Sequence, residues 1–251
     1  MLTKEIGSEI IMGCLLTGIH DVNRNMVLND DDYSLVKDWA DSIIALNLQG
    51  VLFHNNFSVE TCLRFSNKNI HFVKVEHDSI FNPNVYRYFI YRDFLKENKP
   101  NITKVFCTDI SDVVLLKNPF EQPLFVDNPN KLFCGDEPKK LNDAWMVDHA
   151  THLRNNISDY AAYEKTFEET QLLNCGIIGG DIKIITGFIE KLATLHEKYN
   201  HDNQTAFTGD MGAFNYLART KYNPLLCHGA PVNTTFKLYE TDNKDCWFRH
   251  K

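Results

Sequence analysis

The strongest constraint on this chain is an apolar–acidic–apolar succession at residues 104–119, KVFCTDISDVVLLKNP. Val105, Phe106 and Cys107 make one run of buried-strand length, and Val113, Val114, Leu115 and Leu116 make a second. Between them lies Asp109-Ile110-Ser111-Asp112, and Asn118-Pro119 closes the stretch. This pattern puts two carboxylates at the carboxyl end of a buried strand, where open α/β sheets bind their ligands. Carboxylates so close repel each other at neutral pH unless a cation or a shared proton lies between them. A hard divalent ion with a phosphate-bearing ligand meets that need. A solvated turn is the competing reading, because Asp and Ser are ordinary turn residues.

The neighbouring sequence builds an alternating sheet around this stretch. Residues 9–17 read as a first strand, and a polar loop containing Asp21 and Arg24 follows Gly18. Asp30, Asp31 and Asp32 precede a helix expected over 33–46, where Leu35, Val36, Trp39, Ile43 and Leu46 recur at helical spacing. Strands at 50–53 and 71–75 flank a short helix at 59–65, and Asn82-Pro83 leads into an aromatic-rich helix at 85–96. Strand–helix alternation of this kind predicts a βαβ sheet, parallel in its first part. Further on, 132–135 reads as a strand ending in Asp136-Glu137-Pro138, and 139–170 as loops and helix covering one side of a cleft. Residues 172–181 are apolar but broken by glycines, helices are expected at 182–199 and 210–218, and the rest is a polar tail beyond Asn233. With no linker, repeat or low-complexity segment, residues 1–251 read as a single domain with its second half built around the cleft.

Composition narrows the function classes. A net charge of −7 and no basic cluster beyond Lys139-Lys140 argue against a nucleic-acid partner. No apolar run reaches the roughly 18–20 residues of a transmembrane helix. The apolar segment at 10–16 lacks a basic flank and reads as a core strand, not a signal peptide. Seven cysteines stand singly with no CxxC pair, the pattern of reduced, buried thiols in a cytoplasmic protein. Asn101-Ile102-Thr103 is then an idle sequon.

The order of these motifs resembles the GT-A-fold nucleotide-sugar glycosyltransferases, of the glycogenin and galactosyltransferase kind. TDISDVVLLKNPF is similar to the D-x-D region and Asn-Pro-Phe turn of that superfamily. Asn174-Cys175-Gly176-Ile177-Ile178-Gly179-Gly180 is similar to its N-x-G-x-x-G acceptor-side segment. Residues 209–215 resemble its D-Q-x-x-x-N helix start, and His228-Gly229 stands where the family has a C-terminal metal-binding histidine. The likeness runs over about residues 10–236. It implies an α/β Rossmann-like fold with a mixed, mostly parallel sheet flanked by helices. It also implies a transferase moving a sugar from a nucleotide-diphosphate donor, UDP by default, to a glycan, lipid or protein hydroxyl. One departure stands out: the third D-x-D position is Ser111, and the second carboxylate, Asp112, comes one residue later.

A divalent ion bridging the donor phosphates would be Mn²⁺ or Mg²⁺, held by Asp109, Asp112 and His228, and an imidazole ligand favours Mn²⁺. The donor is expected to meet Thr17, Asp21, Arg24, Asp109, Ile110 and Ser111, with Arg87 reaching a phosphate. Asp210, Asp136 and Glu137 are the candidate carboxylates of the reacting centre. Asn174 and Gly176 are expected to shape the acceptor pocket, glycine permitting close approach. Trp145, Tyr160 and Trp247 are possible sugar-stacking rings, set aside because most such aromatics are core. Two rivals differ in class. A sugar-phosphate nucleotidyltransferase needs a Gly-rich basic loop after the first strand, where only Gly18 and Arg24 stand. A nucleotide-sugar-binding protein without turnover would suit the altered D-x-D.

Overall fold

A computed structural model describes residues 6–21, 25–199 and 209–251; Arg24 and the side chain of Asp21 lie outside what is described. In the first half the elements are β1 (Glu9–Leu15), β2 (His20–Asp21), β3 (Met26–Val27), α1 (Ser34–Ala45), β4 (Gln49–His54), α2 (Val59–Phe65), β5 (Ile70–Lys74), α3 (Pro83–Asn98), β6 (Lys104–Thr108) and β7 (Val113–Leu115). The second half has α4 (Pro123–Val126), β8 (Leu132–Lys140), α5 (Ala144–His149), α6 (Thr151–Asn156), α7 (Tyr160–Phe167), β9 (Gln171–Asp181), α8 (Ile182–Tyr199), α9 (Asp210–Lys221), β10 (Leu226–His228) and β11 (Phe248–His250).

The central sheet has the order β10-β8-β9-β6-β1-β4-β5. Every neighbouring pair in it is parallel except the two made by β9, which runs against both β6 and β8. The α/β fold with a mixed, mostly parallel sheet is therefore the one expected. Its strands are apolar on both faces because both faces are covered. Successive residues alternate between two cores: Ile10, Met12, Val51, Phe53, Val105 and Cys107 face one, Ile11, Leu52 and Phe106 the other. On the first side α3 buries Val85, Tyr88, Tyr91 and Leu95, spaced by helical turns. Asn82 caps that helix by accepting from the Asn84 N–H at 2.9 Å, and Pro83 opens it.

The chain winds outward from β1 through β4 to β5, then returns to place β6 on the other side of β1. That reversal opens a crevice at the carboxyl ends of β1 and β6, the position where ligands of doubly wound sheets bind. The stretch at 109–112 follows β6 there.

One stretch is more regular than its glycines suggest, and one expectation is corrected. The glycine-broken segment at 172–181 is one continuous antiparallel strand, β9. Its Gly179 lies under the Phe106 ring, where a Cβ would sit 2.1 Å from a ring carbon, so glycine is what lets the two strands pair. The tail is not merely polar. Trp247 and Phe248 are 1% and 0% exposed, and β11 pairs antiparallel with β7, setting His250 opposite Val113. Burying two such rings stabilises the segment by about 2–3 kcal/mol each. Backbone bonds fix it on both sides: Leu116 N–H donates to Trp247 O at 2.7 Å, and Trp247 N–H to Pro231 O at 2.8 Å.

Candidate active site

The crevice is a cleft of roughly 690 Å³. Asp109, Ile110, Ser111 and Asp112 line it, with Arg87, Glu137, Asn174, Asp210 and His250. The local fold explains the acidic stretch. Asp109 N–H donates to Gly176 O at 2.7 Å, continuing the β6–β9 pairing one residue past the strand. Ile110 turns inward, 4% exposed, against Gly13, where a Cβ would stand 2.9 Å from Ile110 Cδ1. Lys251 N–H donates to Asp112 O at 2.9 Å, so the β7–β11 ladder begins at Asp112.

That ladder delivers the third member of the cluster. Potential ligand atoms of Asp109, Asp112 and His250 lie within 4.8 Å of one another. His250 Nε2 is 3.8 Å from Asp109 Oδ2 and 3.8 Å from Asp112 Oδ2. The ring is 1% exposed, and burial holds its pKa below the ordinary imidazole value, against the opposing pull of the Asp109 and Glu137 carboxylates. A neutral imidazole is the form that ligates a metal. Its Nδ1 is buried and has no hydrogen-bond partner among the described residues.

His228, the histidine expected in this cluster, is elsewhere. It ends β10, on the far side of β8 from β9, and its Nδ1 is 2.9 Å from Asp136 Oδ2. Asp136 is likewise outside the residues lining the cleft. Adjacent residues of a strand point to opposite faces: Glu137 enters the cleft while Asp136 turns toward His228. Gly229, at φ +71°, keeps the pair close, since a Cβ there would lie 2.6 Å from Asp136 Oδ2.

Arg87 is 9% exposed and forms an ion pair with Asp109 through Nη1. Its Nη2 donates to Tyr88 Oη at 3.1 Å and to Cys175 Sγ at 3.4 Å, and lies 3.9 Å from Asp210 Oδ2. Asp210, 4% exposed, opens α9 after Gly209, whose φ of +67° suits glycine. Its Oδ1 accepts from its neighbour's Met211 N–H at 2.8 Å and stands 3.2 Å from His149 Nε2. A continuous line of side chains thus runs from His149 through Asp210 and Arg87 to Asp109 and His250. His149 on α5 is a member that sequence reading missed; nothing in its local pattern marks it.

Glu137 is 7% exposed, and burial pushes its pKa above the ordinary carboxyl value, against the Asn174 hydrogen bond and the charges of Lys139, His250 and Lys237. Asn174 Nδ2 donates to Glu137 Oε1 at 2.8 Å, and Asn174 Oδ1 accepts from Gly176 N–H at 2.7 Å. Gly176 sits beneath the cluster: a Cβ there would lie 2.5 Å from His250 Cε1 and 2.6 Å from Asp109 Oδ2. Thr17, 4% exposed, follows β1, its hydroxyl donating to Asp30 Oδ1 at 2.8 Å and its N–H to Asn55 Oδ1 at 2.9 Å. It belongs to the wall behind the cleft, whose lining from β1 and beyond is Cys14, Leu15 and Leu16.

Two carboxylates and a neutral imidazole converging at one cleft end make an oxygen-rich, borderline-hard donor set that fits Mn²⁺ and also admits Mg²⁺. Gly176 leaves the room these groups occupy, since a Cβ there would lie 2.5 Å from His250 Cε1 and 2.6 Å from Asp109 Oδ2.

No protein-family model and no curated protein matches this sequence. Among solved structures, the galactosyltransferase LgtC in complex with donor and acceptor sugar analogues matches over 96% of this chain and 86% of its own, at 16% identity and a TM-score of 0.50. The chain has the GT-A glycosyltransferase fold that LgtC has.

Proposed function

We propose that this protein is a metal-dependent glycosyltransferase, moving a sugar from a nucleotide-diphosphate donor, UDP by default, to a hydroxyl of a glycan, lipid or protein acceptor. The observation that carries this is the Asp109–Asp112–His250 cluster, set at the switch-point cleft beside Arg87. A bound Mn²⁺ or Mg²⁺ would supply Lewis-acid stabilisation of the charge that grows on the leaving diphosphate. The protein's own groups divide the remaining work. Asp109, Asp112 and His250 hold the cation, and Ser111 lines the same wall. Arg87 is a fixed buried cation between Asp109 and Asp210, placed to hold the donor's sugar and phosphate against the cleft floor. Asp210 accepts donor hydroxyls. Glu137, with its raised pKa, takes the proton of the attacking hydroxyl. Asn174 orients Glu137 and holds the Gly176 N–H under the cluster.

The roles of Thr17, Asp21 and Arg24 toward the nucleotide are part of the same proposal, as is a single functional domain. Among the described residues no helix is long and apolar enough to cross a membrane, and all seven cysteines are free thiols. These support the proposed cytoplasmic location. The test is release of UDP from UDP-sugars with Mn²⁺, measured for the wild type and Asp109→Ala. We expect release in the wild type and its loss in the variant; equal release in both sinks the metal-site assignment. Tight UDP-sugar binding without release would instead favour a binding protein, to which the serine at position 111 lends some support. Pyrophosphate release from a nucleoside triphosphate and a sugar phosphate would identify a nucleotidyltransferase.

A further inference from the structure

The line of side chains that reaches the Asp109–Asp112–His250 cluster begins outside it, at the exposed ring of Trp145. Trp39 and Trp247 are 0% and 1% exposed, whereas Trp145 lines the cleft with 41% of its surface exposed. It is nonetheless held. Its ring stacks on His149 at 4.7 Å and 25°, and His149, 2% exposed, is itself fixed by Asp210. Its backbone N–H donates to Asp143 Oδ1 at 3.1 Å, and the same oxygen pairs with Lys139 Nζ at 3.1 Å. The Lys139 ammonium stands 5.9 Å from the indole centroid.

We propose that Trp145 is the platform for the acceptor, and that the acceptor is a glycan: His149 covers one face of the indole, and a pyranose ring stacks on the other, displacing the Lys139 ammonium from over the ring to donate to the sugar's hydroxyls. This rests on the transferase reading above. The position is that of an acceptor, because Trp145 is separated from the cation site by His149, Asp210 and Arg87, the groups that the donor sugar would overlie. The chemistry is that of a sugar: a pyranose offers apolar C–H groups beside hydroxyls, and here an indole stands beside an ammonium and a carboxylate. A lipid or a hydrophobic peptide would call for a contiguous apolar patch, whereas Lys139 and Asp143 border this ring. The ring is also pre-organised, since its stack on a buried imidazole removes freedom that a ligand would otherwise have to restrict.

The buried positions of Trp39 and Trp247 make Trp145 the natural reporter. The experiment titrates the full chain, with Mn²⁺ and UDP present, with methyl glucoside, galactoside, mannoside, N-acetylglucosaminide and glucuronide. Tryptophan emission is followed, and Mn²⁺–UDP melting shifts are recorded in parallel. We expect at least one pyranoside to change the emission saturably. The change should vanish in Trp145→Phe while that variant keeps the Mn²⁺–UDP melting shift, and affinity should fall about fivefold in Lys139→Met. A protein that binds Mn²⁺–UDP but answers to no pyranoside overturns the platform, as does an emission change that survives in Trp145→Phe. Pyranoside binding at Trp145 without any Mn²⁺–UDP shift would keep the platform and remove the transferase reading.

Discussion

Gly176→Ala probes the cluster through its floor. The added Cβ would lie 2.5 Å from His250 Cε1, 2.6 Å from Asp109 Oδ2 and 2.9 Å from Asn174 Oδ1. Unstrained contacts between heavy atoms need about 3.5 Å, so His250 and Asp109 must each retreat by about 1 Å. All three neighbours are side chains of the cleft, so the strain falls on the site. Overpacking of this size costs about 1–3 kcal/mol, or about 2–12 °C of melting temperature in a protein of this length. The functional loss is expected to be larger. Displacing two of three ligands by that distance should weaken Mn²⁺ binding about 100-fold, about 2.7 kcal/mol. Gly187→Ala on α8 is the control, because the nearest atom its Cβ would meet is Tyr222 Oη at 3.8 Å. It should hold or raise stability by up to about 1 kcal/mol. The assay is Mn²⁺ titration calorimetry with UDP present, beside thermal melting of both variants. If Gly176→Ala melts lower yet binds Mn²⁺ within about threefold of the wild type, the cation does not sit among these residues.

Two further predictions concern protons. Glu137 must be ionised to act as a base, and its pKa is raised by burial, so activity should fall on the acid side through a value above that of a free glutamate. Glu137→Gln can still accept from Asn174; it should lose about 10²–10⁴ in turnover and the acid limb with it, and a rate profile unchanged by the substitution removes Glu137 from the chemistry. His196, fully buried and stacked on Tyr88 at 5.3 Å, has its pKa lowered by burial to about 3. The unfolded chain then binds the proton first, so its contribution to stability is complete above about pH 6.5 and is lost as pH falls toward about 3. His196→Phe should flatten the acid limb of unfolding free energy by about 1.4 kcal/mol per pH unit within that window; an unaltered slope in denaturant melts contradicts it.

The sheet was legible because each central strand is a short apolar run whose alternate residues serve two cores, and period and length survive in the sequence. Asp109 and Asp112 were legible for a related reason: a turn of four residues keeps its members together whatever the rest of the chain does. His250 was not, because its place depends on the pairing of β11 with β7, more than a hundred residues apart. The signal available was Trp247-Phe248, an apolar pair too costly to leave in a solvated tail. Position 228 offered a histidine after a strand, and its partner in the fold is Asp136. Strand alternation bears on that pair too. Asp136 and Glu137 are neighbours on β8 and part company, Asp136 turning to His228 and Glu137 lining the cleft. Asp112 stands at the mouth of the β7–β11 ladder that brings His250, with its Oδ2 3.8 Å from His250 Nε2.

The most direct measurement compares the two histidines. Melting curves of wild type, His250→Ala and His228→Ala, each with a UDP-sugar panel and with or without Mn²⁺, read donor binding through the stabilisation a ligand confers on the folded state. We expect a Mn²⁺-dependent shift in the wild type, retained in His228→Ala and abolished in His250→Ala. A shift retained in His250→Ala and lost in His228→Ala, or no Mn²⁺-dependent shift in the wild type with any nucleotide sugar, would contradict the Asp109–Asp112–His250 site.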